Sequence, residues 1–212
     1  MLASEDIPEN DPWWFRQPIS GNAVTSILDK PTQRAAFRQI RDSYVNGLTA
    51  QDRSLAFSKI PSPLAKFLAP GKIVAGYVAK GSEVDPAAIL AQAHAMGCDL
   101  ALPHVTSKSA PMRFLRWSPD DDLVPGAFGL LQPAETAPEC KPDIVLVPML
   151  AFDDKLIRLG QGAGHYDRAL SVLDDSIAIG LAWSVQFTSA LASDIWDVPL
   201  DAVLTEKSWI TL

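Results

Sequence analysis

The chain has 212 residues, is 48% hydrophobic and 20% charged, and carries a formal net charge of -7. This length allows one sizeable core, and the acidic balance excludes general nucleic-acid binding, which needs a basic surface to displace counterions from phosphates. No apolar run approaches the roughly 20 residues that span a bilayer. The start "MLASEDIPENDPWWFRQP" lacks the basic and apolar regions of a secretory signal, and the two cysteines, Cys98 and Cys140, form neither a metal spacing nor a disulfide framework, so a cytoplasmic protein with no membrane partner is expected.

Residues 1–28 are rich in Pro, Asp and Asn without periodicity and read as an extension, with "PWWF" (12–15) placed to anchor it against the body. A helix is predicted from Lys30, with Pro31 in its first turn, Lys30 at its cap, and Phe37, Ile40, Tyr44 and Leu48 as its apolar face. Lys30, Arg34, Arg38 and Arg41 form a cationic stripe beside that face. Thr49 caps a second helical stretch, "QDRSLAFSKI". The segment "KIVAGYVA" (72–79) reads as a buried strand, 86–96 as a helix with Gly97 as its C-cap, and 99–103, 112–117, 143–148, 176–183 and 201–206 as further strands. Helices between most of these strands predict an α/β fold: a three-layer αβα arrangement, Rossmann-like, with a parallel or mixed sheet, in one domain over 29–212.

The segment "RLGQGAGHYDR" (158–168) sets three glycines two residues apart between two arginines. In an open α/β sheet, ligands bind outside the carboxyl ends of strands, and this loop follows the 143–148 strand and precedes a helix opening near Gly164. Amides bared by Gly160, Gly162 and Gly164 could face phosphate oxygens, with Arg158 and Arg168 adding charge-assisted contacts. The spacing fits neither GxxxxGK[ST] nor GxGxxG. Three glycines forming a tight turn are the plain structural alternative.

The stretch "DIVLVPMLAFDDKLIRLGQGAGHYDR" resembles the signature of the 5-formyltetrahydrofolate cyclo-ligase family. "KPTQR" (30–34), "GSEVD" (81–85), "LVPGAFGLLQP" (123–133) and "DVPLDAVLTE" (197–206) resemble further blocks of that family, so the likeness covers about residues 30–206. It implies ATP and Mg2+ as requirements and a reduced folate as the small-molecule substrate. The implied reaction phosphorylates the formyl oxygen of 5-formyltetrahydrofolate, closes the ring to 5,10-methenyltetrahydrofolate, and releases ADP and phosphate.

Carried over residue by residue, the resemblance assigns ATP binding to Lys30, Arg34 and the loop Arg158, Leu159, Gly160, Gln161, Gly162, Ala163, Gly164, His165 and Tyr166. It assigns folate binding to Glu83, Phe128 and Tyr166, and the metal to Asp167 and Asp197. Replacing Asp167 by Asn is expected to cost turnover far more than folding. Arg113 and Arg116 are candidates, by charge, for a polyglutamate tail. His165 stands where the family carries an aromatic residue, which adds a titrating group. Two other readings stay open on the residues: an enzyme of this fold with another substrate, and a folate- or nucleotide-binding protein without catalysis.

Overall fold

The computed structural model describes residues 29–212, so the predicted extension and its PWWF segment lie outside the described residues. Asp29, rather than Lys30, caps α1 (Lys30–Gly47): its Oδ1 accepts the Thr32 N–H at 2.8 Å, and Pro31 falls in the first turn, where a missing donor costs nothing. The buried stripe of α1 is Gln33, Phe37, Arg41 and Val45, at steps of four, whereas Ile40, Tyr44 and Leu48 are only partly covered. The apolar face is therefore turned from the one predicted, and Arg41 of the cationic stripe lies inside. Thr49 caps α2 (Ala50–Leu55) by accepting the Asp52 N–H at 3.0 Å, and α2 stops well short of the predicted stretch. The short α3 (Ser62–Ala65) follows.

The sheet begins with β1 (Ile73–Ala75), continues through α4 (Ala87–Ala95) into β2 (Asp99–His104), and turns back along β3 (Arg113–Arg116). A side hairpin, β4 (Val124–Pro125) and β5 (Leu131–Gln132), precedes β6 (Glu139–Cys140) and the central β7 (Ile144–Pro148). A second hairpin, β8 (Ala151–Phe152) and β9 (Arg158–Leu159), leads through the glycine loop into α5 (His165–Leu170). The chain ends in β10 (Ile177–Leu181), β11 (Ala202–Leu204) and β12 (Trp209–Ile210).

Eight of these strands form one sheet in the order β12-β11-β10-β7-β1-β2-β3-β6. The middle five are parallel, and β12, β3 and β6 are antiparallel to their neighbours. This is the mixed alternative of the prediction. Counted among the parallel strands alone, the spatial order is second, first, third, fourth, fifth, which puts the reversal of winding between β1 and β7. Segments leaving the carboxyl ends of β1 and β7 therefore part there and open a crevice.

Alternation along the central strands fills both faces. Val74, Leu100, Leu102, Ile144, Leu146, Ile179 and Leu181 join one core with Ile89 and Leu90 of α4. Their neighbours Ala75, Ala101, Val145, Val147, Ala178 and Val203 point to the other, with Ala169 and Leu170 of α5. Two expectations change. The first strand is three residues long, because beyond Gly76, whose N–H still donates to Ala101 O at 2.9 Å, the chain leaves the sheet. Regular α-helix joins only β1 to β2 and β7 to β10. The β10–β11 connection holds a 3-10 turn at Ser184–Gln186, and antiparallel neighbours need no crossover helix.

Candidate active site

The crevice at the β1/β7 switch is a cleft of about 1200 Å³, bordered by α1, the segment after β1, the glycine loop and the segment before β11. Its lining carries eight cationic side chains (Lys30, Arg34, Arg38, Arg41, Lys80, Lys108, Arg158, Arg168) against five carboxylates (Asp42, Glu83, Asp167, Asp194, Asp197). A chain of net charge -7 thus concentrates positive charge where the topology opens it.

The glycine loop forms one wall. Gly162 and Gly164 have φ of 102° and 66°, left-handed values that favour glycine. A Cβ on Gly162 would stand 3.2 Å from the Arg34 guanidinium carbon, and one on Gly164 would stand 3.0 Å from Arg168 Nη1. Gly160 has neither constraint, and a Cβ there would meet open space. Arg34 Nε donates to Gly160 O at 3.0 Å and Arg38 Nη2 to Gln161 Oε1 at 2.8 Å, which ties the loop to α1. Among the described residues, no amide N–H from Gly160 to Gly164 donates to any protein acceptor. Nor does any carboxylate lie within 4 Å of a basic nitrogen of Arg34, Arg38, Lys80 or Arg168.

Two predicted loop partners are held by the protein itself. Arg158 is nearly fully buried; its Nη2 pairs with Asp167 Oδ1 at 2.5 Å and its Nη1 donates to Val198 O. Burial depresses its pKa, while the nearby charges of Asp167 and Asp197 favour its charged form. Lys30 reaches Asp194 Oδ2 at 2.7 Å and Asp197 Oδ2 at 2.6 Å; burial opposes its charge, but these two carboxylates outweigh it and raise its pKa. Asp167 and Asp197 each spend one oxygen in these contacts. Oδ2 of Asp167 and Oδ1 of Asp197 have no hydrogen-bond partner among the described residues. Two carboxylates with an oxygen each to spare suit Mg2+, which takes one or two carboxylates and completes its shell with water and phosphate oxygens. No group of three or more His, Cys, Asp or Glu side chains that could hold a metal ion occurs among the described residues.

The segment after β1 forms the opposite end. Glu83 Oε2 accepts the Lys80 N–H at 3.0 Å, and its Oε1 accepts from Gln161 Nε2 at 3.3 Å and lies 3.8 Å from Arg41 Nη1. Arg41 donates to Ser82 Oγ at 2.9 Å, and Ser82 donates to Asp42. Trp183 Nε1 donates to Ser82 O at 3.0 Å, so the segment is held from behind. Phe128, at φ 62°, stands exposed on the rim, its ring 6.2 Å from that of His165. Next to His165 is Tyr166, whose hydroxyl is buried without a hydrogen-bond partner among the described residues; burial first, then the Glu83 charge, raise its pKa and keep it a neutral O–H. Arg168 Nη2 lies 3.1 Å from His165 Nδ1. Because arginine only donates, Nδ1 accepts and the proton of the neutral ring sits on Nε2.

Lys30, Arg34, the loop 158–166, Glu83, Phe128, Asp167 and Asp197 thus all line one cleft. Arg113 and Arg116 do not: Arg113 pairs with Glu135 and Glu139, and Arg116 with Asp99. The sequence reading left Arg38 and Arg41 out of the site, although their spacing with Lys30 and Arg34 on one helix was the signal. It also omitted Lys80 and Lys108, and Ile195 and Trp196, whose apolar pair between Asp194 and Asp197 is unusual for a polar loop.

The family model of the 5-formyltetrahydrofolate cyclo-ligase family matches residues 27–206. The 5-formyltetrahydrofolate cyclo-ligase of Escherichia coli K12 is 31% identical over 144 residues, 64% of this chain and 79% of the relative. That of Haemophilus influenzae is 38% identical over 97 residues, 43% of this chain and 52% of the relative. The solved structure of Aquifex aeolicus 5,10-methenyltetrahydrofolate synthetase superposes with a TM-score of 0.69 at 29% identity, covering 87% of this chain and 93% of that one. A match over most of the chain, in sequence and in fold, makes this protein a member of the 5-formyltetrahydrofolate cyclo-ligase family.

Proposed function

We propose that this chain converts 5-formyltetrahydrofolate to 5,10-methenyltetrahydrofolate at the expense of ATP, releasing ADP and phosphate. The observation that carries the nucleotide half is the run of amides from Gly160 to Gly164, unengaged among the described residues and set beside Arg34 and Arg38, against which no carboxylate of the described residues lies within 4 Å. Such a wall suits phosphate oxygens, which accept from backbone N–H groups and guanidinium together. Phosphoryl transfer asks mainly for positioning and charge neutralisation. The cleft exceeds the ordinary range for one small ligand, roughly 300 to 1,000 Å³, and has room for two molecules side by side.

In this reading Arg34 and Arg38 neutralise the phosphates, Lys30, tied to Asp194 and Asp197, lines the nucleotide end of the cleft, and Arg158 supports the loop from behind through Asp167. Asp167 Oδ2 and Asp197 Oδ1 would hold Mg2+, which supplies positive charge to the phosphate oxygens. Glu83 accepts N–H groups of the pterin, Phe128 and Tyr166 flank its ring, and the cleft wall shields the reacting atoms from water. The formyl oxygen takes the terminal phosphoryl group, which makes it a leaving group. The second folate nitrogen then attacks the former formyl carbon, gives up its proton, and phosphate departs with the oxygen. The eight-stranded sheet, drawn from residues 73–210, supports treating 29–212 as one domain.

The test measures ADP release and growth of the methenyl absorption together, with each of ATP, Mg2+ and 5-formyltetrahydrofolate omitted in turn. Both signals are expected in equal amounts and only in the complete mixture. No turnover at high enzyme, or ADP release indifferent to folate, would overturn the proposal.

A further inference from the structure

The cations of α1 meet the walls of the cleft in sequence. Lys30 holds Asp194 and Asp197, Arg34 holds Gly160, Arg38 holds Gln161, and Arg41 holds Ser82 beside Glu83. At a rise of about 1.5 Å per residue, these positions span roughly 16 Å along the helix. The glycine loop occupies the middle, and the Glu83 and Phe128 end lies toward the carboxyl end of α1. For phosphoryl transfer the terminal phosphate must face the folate, so the nucleoside falls at the other end, against residues 194–197.

Four aromatic side chains line the cleft: Tyr77, Phe128, Tyr166 and Trp196. Tyr77 is buried and Tyr166 half-buried, whereas Phe128 and Trp196 are 54% and 66% exposed, and they stand at opposite ends. The cleft thus leaves two aromatic rings open to solvent, Phe128 beside the His165 ring and Trp196 at the far end. Ile195, beside Trp196, is 99% exposed, an apolar pair offered to solvent at the rim of a charged cleft. The turn presenting the pair is held in place: Asp194 N–H donates to Asp197 Oδ2 at 2.7 Å, Asp197 N–H donates to Asp194 O at 3.1 Å, and Lys30 clamps both carboxylates. A preordered face binds at lower entropic cost than one that must be organised by its ligand.

We propose that Trp196 is the stacking face for the nucleobase of the triphosphate. The proposal rests on the ATP-dependent reading above. Stacking of a base on an aromatic side chain is worth about 1–3 kcal/mol, so its loss weakens binding by about 5- to 150-fold.

The experiment compares wild type, Trp196→Ala and Trp196→Phe in steady-state kinetics, with inorganic tripolyphosphate as a competitor that has phosphates and no base. In Trp196→Ala the KM for ATP is expected to rise about tenfold or more. The KM for 5-formyltetrahydrofolate and the inhibition constant of tripolyphosphate should hold within about twofold of wild type. Trp196→Phe should recover most of the ATP affinity, and it keeps the test decisive if the alanine variant folds poorly. An unchanged KM for ATP in Trp196→Ala overturns the proposal. So does a parallel loss of tripolyphosphate affinity, which would mean that the turn supports the phosphates and not the base. If wild type itself shows no ATP-dependent turnover, the underlying reading fails, and that result is distinct from either of these.

Discussion

Asp167 takes Arg158 and the Val198 N–H on Oδ1 and keeps Oδ2 without a hydrogen-bond partner among the described residues. Asp167→Asn would keep the shape but leave the buried guanidinium short of a counter-charge. Because Asp167 is partly exposed, we expect a loss of about 1–2 kcal/mol, below the range of about 3–5 kcal/mol for a fully buried pair. Urea unfolding measures it, and a variant as stable as wild type would show that the pair contributes little. The expectation from sequence, that turnover would suffer far more than folding, thus gains a folding cost that the ion pair predicts. Asp167 was legible as a site candidate because it closes a recognisable loop, but its bond to Arg158 crosses from strand to helix, and no spacing rule announces such a pair. His165 gives a pH effect. Burial first, then the Arg168 charge, lower its pKa from 6.5. The unfolded chain therefore takes up a proton near that pH that the folded ring refuses, so stability falls as pH drops below about 6.5. Melting curves at pH 7.5 and 5.5 should show the fall, and His165→Phe should make it shallower.

At the scale of elements, long apolar runs were readable and short ones were not. The strand 143–148 was placed within one residue of β7, since a strand buried on both faces is apolar throughout. The hairpin strands β4, β5, β8 and β9, two residues each, carry no periodicity, and the pairing of β8 with β9 that presents the glycine loop was invisible for that reason. On α1 the charge stripe was found, but the burial of Arg41 depends on partners from distant segments, Ser82 and Met149. Gly180, inside β10, illustrates packing that composition conceals: a Cβ there would collide with Met149 Cε and stand 2.8 Å from Leu200 Cδ1. Gly180→Ala should destabilise by about 1–3 kcal/mol through overpacking. Retained cleft binding with a lowered melting temperature is the expected pair of results; an unchanged melting temperature would mean that the neighbours yield freely.

Across the whole molecule, the order of the parallel strands fixes where the cleft opens, and the basic lining there sits within an acidic chain. Salt shortens the screening length from about 10 Å at 0.1 M to about 3 Å at 1 M. The KM for ATP should therefore climb with ionic strength more steeply than that of 5-formyltetrahydrofolate, a comparison that one salt series supplies. The sheet's two borders, Glu139–Cys140 and Trp209–Ile210, are stubs of two residues each. An approaching molecule finds too few open amides along either margin to start a ninth strand. So broad a sheet thereby resists growing into ribbons in crowded solution, a protection lodged in its least conspicuous segments.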